Sequence, residues 1–381
     1  MASKSTRDPL LIFAPYLPLR QSVTAGGWWI GPLRVFPGPW RDDRFERLSR
    51  MLIADYTTYA GEPVPNPTLI AACEHGADGV WPDQKELRAL QLALDFTVID
   101  GNPPWSEESS VYGGWHTATT ENSQLHFWPV DLDQGRIARS AGVMVCVTTA
   151  GYTIERGFTA QAPIELHLPN DLMLDDELLA ALLSVFKGEH DADDGSLARR
   201  LAVATTWLGQ AWRNTESIRV EERIIMLKTG FEALTDTSNS WRSAEGLEAL
   251  FRTFPVTSAN DFLTQDLVWK PSETESMSYT VKSRVNSCTP LQHWFMSLAG
   301  CRNEIIHEGR MSSSSYEVDG SPYTGPYLFV AERILREACR VAMRTFGYDT
   351  LWKDRRMRLA SRALQPVFDQ LREFGAEMQD S

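Results

Sequence analysis

The spacing of apolar residues changes near residue 170, and this change constrains the fold more than any other feature. Before it, short apolar or alternating runs are separated by Gly, Pro and Asn, a pattern typical of strands and turns. Large aromatic residues also favour a half-buried sheet. We therefore predict a mostly antiparallel β domain in residues 1–172. Its expected strands lie at 10–14, 28–35, 94–99, 124–130, 143–149 and 164–168, with a short helix at 86–93.

After residue 172 the apolar residues recur at helical spacing, as Leu178, Leu179, Leu182 and Leu183 do. We predict helices at 175–186, 196–213, 220–234, 291–308 and 327–346, and a long or broken helix at 351–378. The Ser- and Thr-rich stretches 255–290 and 312–326 are expected to be loops or insertions. Residues 173–381 should therefore form an all-α bundle, which makes the whole chain an α+β protein.

The charge of the chain is acidic and unevenly distributed. The 381 residues carry 37 basic and 50 acidic side chains, a formal charge of −13. Residues 1–190 account for −10 of this and residues 191–381 for −3. The balance excludes a protein built mainly to coat nucleic acid or anionic membranes. Any polyanion should bind the C-terminal half.

The cysteines and the apolar runs favour a cytoplasmic protein. Five scattered cysteines give neither a disulfide framework nor a zinc signature, so reduced thiols are expected. No run approaches the roughly 18 to 20 apolar residues that cross a bilayer. We expect no membrane partner, no metal and no cofactor.

The most informative segment is Cys301–Arg310, which ends a predicted amphipathic helix at Gly309. His307 lies in the last turn, where the free carbonyls favour a cationic side chain. Asn303 lies one turn before His307 on the same face, and Arg302 points to a neighbouring face. A titratable imidazole, an amide and a guanidinium therefore share one helix end.

These groups are what metal-free cleavage of RNA requires. A base must take the proton of the ribose 2′-OH, and a fixed cation must offset the charge that grows on the phosphate oxygens. The planar guanidinium of Arg302 suits the second task. The alternative is structural, with Arg302 in a surface ion pair and His307 capping its own helix.

The segment from Arg302 to His307 resembles the Arg-x4–6-His signature of HEPN domains. The helix 219–236, with Arg223 and the run Phe231-Glu232-Ala233-Leu234, resembles the second helix of the Apea-like branch of that family. The resemblance covers residues 175–350, about half of the chain, and leaves out the N-terminal domain.

The resemblance implies a homodimeric, metal-independent endoribonuclease of a toxin–antitoxin or antiphage system. Arg302 would bind the scissile phosphate, His307 would act as general acid or base, and Asn303 would orient His307 or the phosphate. The N-terminal domain would sense a phage or antitoxin trigger. Some family members lack catalysis, so a non-catalytic protein that binds RNA, nucleotide or a partner protein is the alternative.

Two further groups of residues were considered as sites. Lys353, Arg355, Arg356 and Arg358 follow Trp352 and form the densest basic cluster, which predicts contact with RNA phosphates and stacking of a base. The pair His116 and His126, with Glu121 between them, fits no usual metal spacing. A solvated helix face and ordinary β-sheet histidines are the alternatives for these two groups.

Overall fold

The computed structural model describes fourteen stretches of the chain, which together form two compact units, Met1–His190 and Asp191–Ser381. An antiparallel sheet is followed by a helical region, which confirms the predicted α+β class. The predicted strand at 164–168 and helix at 351–378 lie outside the described residues. The described residues are 10–32, 67–72, 83–101, 120, 122–131, 136–137, 143–148, 151–156, 172–188, 196–213, 218–253, 277–281, 284–309 and 326–348.

The first unit is built on an eight-stranded sheet in which every pair of neighbours is antiparallel. The strands are β1 Leu10–Ala14, β2 Val23–Ala25, β3 Trp28–Pro32, β4 Thr68–Ala72, β5 Leu125–Asp131, β6 Arg136–Ile137, β7 Val143–Thr148 and β8 Gly151–Arg156. Their order is β2-β3-β4-β1-β5-β7-β8, and β6 pairs with the end of β5. Strand β4 was not predicted, whereas the predicted runs at 10–14, 28–35, 124–130 and 143–149 each contain a strand.

The described part of the first unit contains two helices, α1 Gln84–Gly101 and α2 Asp176–Gly188. Strands β2 and β3 are joined by Gly26 and Gly27, whose φ angles of 55° and 85° favour glycine. The side chain of Leu183 packs where a Cβ on Gly26 would lie, and the ammonium of Lys187 donates to the carbonyl of Gly26 at 3.1 Å. Helix α2 therefore packs against the turn between β2 and β3, within the first unit.

Helix α1 corrects the prediction of a short helix at 86–93 and a strand at 94–99. It begins at a capping box in which Asp83 accepts from the Glu86 backbone at 2.8 Å and Glu86 accepts from the Asp83 backbone at 3.2 Å. The run 94–99 continues this helix and is buried on all its faces. Burial on all sides removes the alternation that separates helix from strand, and this explains the error.

The second unit contains five described helices, α3 Leu197–Ala211, α4 Val220–Thr235, α5 Ser240–Arg252, α6 Pro290–Glu308 and α7 Pro326–Arg344. Helices α3 and α4 are antiparallel, since Arg200 near the start of α3 donates to the carbonyl of Leu234 near the end of α4 at 3.2 Å. Gly230 of α4 lies against Leu335 of α7 and Trp207 of α3, so these three helices pack closely. Helix α5 was not predicted.

A hairpin precedes α6 within the stretch 255–290, which was expected to be a loop or an insertion. Its strands are β9 Met277–Val281 and β10 Arg284–Cys288, paired antiparallel with Val285 opposite Thr280. Along β10, Val285 is exposed and Cys288 is buried. None of the helices in the described ranges combines the length and apolar character needed to span a membrane.

Candidate functional site

The end of α6 carries the predicted site, and local signals fix where this helix begins and ends. Thr289 is the N-cap: its hydroxyl accepts from the backbone of Gln292 at 3.3 Å, and the Gln292 side chain accepts from the Thr289 backbone at 3.2 Å. At the other end Gly309 has a φ of 72° and donates to the carbonyl of Ile305 at 2.9 Å. The predicted glycine cap is confirmed, and it places Arg302, Asn303 and His307 in the last two turns.

Aromatic side chains hold α6 against α4. The ring of Phe231 meets Phe295 and Trp294 edge to face, with centroid distances of 5.4 and 5.9 Å. The ammonium of Lys228 lies 5.7 Å from the centroid of the Phe295 ring and is paired with Glu232. These contacts set the rotation of α6 about its own axis, and with it the direction of every later side chain.

Lys228 was not identified as important from the sequence, although the sequence contains a signal for it. Its side chain is only 3% exposed. It lies among Ile224, Leu227 and Phe231, which form the buried stripe of α4. A lysine in the phase of an apolar stripe, with Glu232 four residues later, is the pattern of a buried ion pair.

The start of α6 is held by α5. The carboxylate of Glu248 accepts from the Thr289 hydroxyl at 3.4 Å and from Arg252 Nε at 2.7 Å. Burial, and then the Glu248 charge, raise the pKa of the neighbouring Cys288 thiol to about 11. This thiol therefore stays protonated near neutral pH and is not a nucleophile.

Arg302 emerges from the packed side of α6. Phe295, Leu298 and Arg302 follow at spacings of three and four, so they share one stripe of the helix. The first two are fully buried, while Arg302 is half-buried with its Nε shielded from solvent. Its Nη1 donates to Asn303 Oδ1 at 3.2 Å. The guanidinium is thus fixed at the edge of the packed face.

Asn303 and His307 lie on the solvent side of the same helix end. Both are exposed, and Ile306 between them is 46% exposed. With about 100° per residue, Asn303 and His307 are separated by about 40° around the helix, and Arg302 and His307 by about 140°. The structure therefore joins Arg302 to Asn303 and stacks Asn303 one turn before His307, but it directs Arg302 and His307 apart.

The other candidate residues, apart from His126, lie outside the part of the chain that the structure describes. Lys353, Arg355, Arg356 and Arg358 lie outside the described residues, as do His116 and Glu121. His126 is 1% exposed, with the rings of Phe13 and Tyr16 at centroid distances of 5.5 and 6.4 Å. Burial lowers the pKa of His126 to about 3. Among the described residues no group of three His, Cys, Asp or Glu side chains is placed to hold a metal.

Two buried polar clusters were also not predicted from the sequence. In the first unit, Asp95 accepts from Gln91 at 2.6 Å and from the Ser123 hydroxyl, which ties α1 to the turn before β5. In the second unit, four charged residues of α7 are buried, with an ion pair of 3.2 Å between Arg336 Nε and Glu332 Oε1. These residues are Glu332, Arg336, Glu337 and Arg340. Both clusters organise the interior of their unit.

The end of α6 thus presents hydrogen-bond donors and one titratable ring to solvent. A guanidinium and an amide can bind the oxygens of an anion, and a neutral imidazole can accept a proton. Comparison of the chain with protein-family models, with curated proteins and with solved structures yields no match.

Proposed function

We propose that the protein is a metal-independent endoribonuclease of the HEPN type. The observation that carries the proposal is the helix end at which Arg302 is fixed by its neighbour Asn303 while His307 is open to solvent. An ordered cation beside a titratable group is the minimum equipment for cleaving a phosphodiester without a metal.

In the proposed reaction the ribose 2′-OH attacks the adjacent phosphorus while the bond to the 5′ oxygen breaks. The neutral imidazole of His307 takes the proton of the 2′-OH, and the imidazolium that is formed gives this proton to the leaving 5′ oxygen. Arg302 binds the phosphate oxygens that gain negative charge. The products are a 2′,3′-cyclic phosphate and a 5′-hydroxyl, so no metal or water is needed in the first step.

The angle between the two residues supports a homodimer. Because Arg302 and His307 are about 140° apart around α6, one helix presents them to different directions. A second copy of α6 facing the first supplies the missing partner on each side of a shared cleft. We further propose a cytoplasmic toxin or antiphage protein whose first unit receives a phage or antitoxin trigger.

The test measures RNA cleavage in EDTA by the full chain and by Arg302→Ala and His307→Ala. Structured and unstructured RNA are both offered, and the ends of the products are analysed. We expect cleavage with 2′,3′-cyclic phosphate ends that both substitutions abolish. Two exposed residues provide matched controls: Arg242→Ala removes a guanidinium from α5, and Glu308→Gln changes the residue next to His307. Equal cleavage by all variants would mean that a contaminating nuclease is responsible.

Mixing the two inactive variants tests the shared cleft. If Arg302 of one copy acts with His307 of another, dimers formed from Arg302→Ala and His307→Ala chains contain one working pair. We expect a mixture of the two to regain a substantial part of the activity after subunit exchange. A mixture that stays inactive while wild-type chains cleave as dimers argues that each chain works alone.

The second candidate is a non-catalytic protein of the same family that binds RNA or nucleotide. The separation of Arg302 from His307 favours it, because binding needs only the donors of Arg302 and Asn303. It predicts that RNA is bound but not cut. It also predicts that Arg302→Ala weakens binding whereas His307→Ala leaves it unchanged.

A further inference from the structure

We propose that Asn303 is a positioning residue for Arg302 and that the two side chains form a single phosphate-binding unit. The sequence left open whether Asn303 orients His307 or the phosphate. In the structure its Oδ1 accepts the hydrogen bond from Arg302 Nη1. The proposal deepens the proposed function, on which it rests for the choice of an RNA phosphate as natural ligand.

The chemistry of the two groups fixes the orientation of the Asn303 amide. A guanidinium has only donors, so the carbonyl oxygen is the one atom of the Asn303 side chain that can pair with it. The amide nitrogen is then the atom of the Asn303 side chain that is left to donate to another group. Since Asn303 is exposed, its two N–H groups face solvent beside the remaining donors of the guanidinium.

This orientation makes the surface beside Arg302 a donor surface. Acceptor-only groups such as phosphate oxygens match it, and the shielded Nε of Arg302 limits the directions in which the guanidinium can turn. Toward His307, one turn later, the N–H groups of the same amide can donate. The amide can therefore pair with an imidazole nitrogen that carries no proton, and it does not compete with the phosphate for Arg302.

An isosteric variant separates the two parts of this unit. Asn303→Asp keeps an oxygen that accepts from Arg302, but it replaces the amide donors with a second acceptor. Asn303→Ala removes both. If the amide donates to the phosphate while its oxygen holds Arg302, both variants bind phosphate less tightly, and the aspartate variant is the weaker of the two.

The experiment titrates the full chain with inorganic phosphate and with a 2′-O-methyl oligoribonucleotide. The oligonucleotide has no free 2′-OH, so the protein can bind it but cannot cleave it. Affinity is measured by calorimetry, and the Arg302 Nε resonance and the His307 titration are followed by NMR. We expect Asn303→Ala to weaken binding about threefold to tenfold and Asn303→Asp more than tenfold. The Arg302 resonance should move in Asn303→Ala, while the midpoint of the His307 titration stays the same. Glu308→Gln shows what one negative charge at this helix end contributes.

Two results would overturn the proposal. One is phosphate affinity in Asn303→Asp equal to that of the wild type. The other is an Asn303→Ala variant that changes the His307 titration and leaves the Arg302 resonance and the affinity untouched. Binding of inorganic phosphate but not of the oligonucleotide would identify the free anion as ligand and would refute the assignment to RNA. If the wild type cuts no RNA but the variants still lose phosphate affinity, the ribonuclease proposal is refuted. The positioning role of Asn303 then still holds.

Discussion

His126 gives the first unit a dependence on pH that one substitution should remove. It lies in β5 opposite Phe13 of β1 and Cys146 of β7, at the middle of the sheet. Its ring is buried against Phe13 and Tyr16. Burial disfavours the charged imidazolium and lowers the pKa from 6.5 to about 3. The substitution His126→Leu puts an apolar side chain of similar size in this place and removes the titration.

The size of the effect follows from the two pKa values. Below pH 6.5 the unfolded chain binds a proton at His126, whereas the folded chain does not until the pH approaches 3. Stability is therefore complete above pH 6.5 and is lost as the pH falls from 6.5 toward 3. Each pH unit within this window removes about 1.4 kcal/mol, so the free energy of unfolding drops by about 2 kcal/mol between pH 7 and pH 5.

Urea unfolding at pH 7 and pH 5, followed by tryptophan fluorescence, measures this drop. The wild type should lose about 2 kcal/mol more than His126→Leu between the two pH values. Groups that titrate in both proteins cancel in the difference. In a matched control, His293→Leu removes the half-buried histidine of α6, whose pKa burial also lowers, and its effect should appear in the second unit. Equal pH dependence in wild type and His126→Leu would refute the reasoning.

Three further predictions concern the helix that carries the site. Gly309→Ala should lower the free energy of unfolding by about 1 to 2 kcal/mol and reduce RNA cleavage. The added methyl meets open space, so only the positive φ opposes it. Thermal unfolding and the cleavage rate test this. Thr289→Ala should cost about 1 kcal/mol in urea unfolding, since the cap of α6 is lost, and Thr289→Ser should restore most of it. Lys228→Met should lower the free energy of unfolding by about 1 to 2 kcal/mol, because it removes the charge beside Glu232 and Phe295. The double variant Lys228→Met, Glu232→Gln should lose less stability, and equal losses would contradict the ion pair.

The parts of the fold that local signals determine could be predicted from the sequence. Helix α6 begins at a Thr-Pro-x-Gln cap and ends at Gly309, and both signals lie within a few residues of the helix ends. The prediction of a strand at 94–99 fails for the opposite reason. Its place in α1 depends on distant contacts, since Gln91 and Asp95 bind the turn at Ser123. No pattern within the run itself records those contacts.

The candidate site divides in the same way. That Asn303 and His307 share a face follows from helical spacing alone. How far Arg302 is buried depends on which side of α6 packs against α4, where Phe231 and Lys228 contact Phe295. A single sequence shows that these residues are apolar or charged, but it does not show which of them meet. The sequence therefore predicts that the candidate residues share one helix end, but not that Arg302 donates to Asn303.

The five-residue spacing links the chemistry of the site to the assembly of the chain. Arg302 and His307 diverge by about 140° on one straight helix, so a phosphate that contacts the guanidinium lies away from the imidazole of the same chain. Catalysis then requires a second imidazole from outside this helix, whereas anion binding by Arg302 and Asn303 is complete in one copy. The oligomeric state at which activity appears therefore separates the two functions more directly than the affinity for RNA, because only the ribonuclease needs two copies of α6 in one cleft.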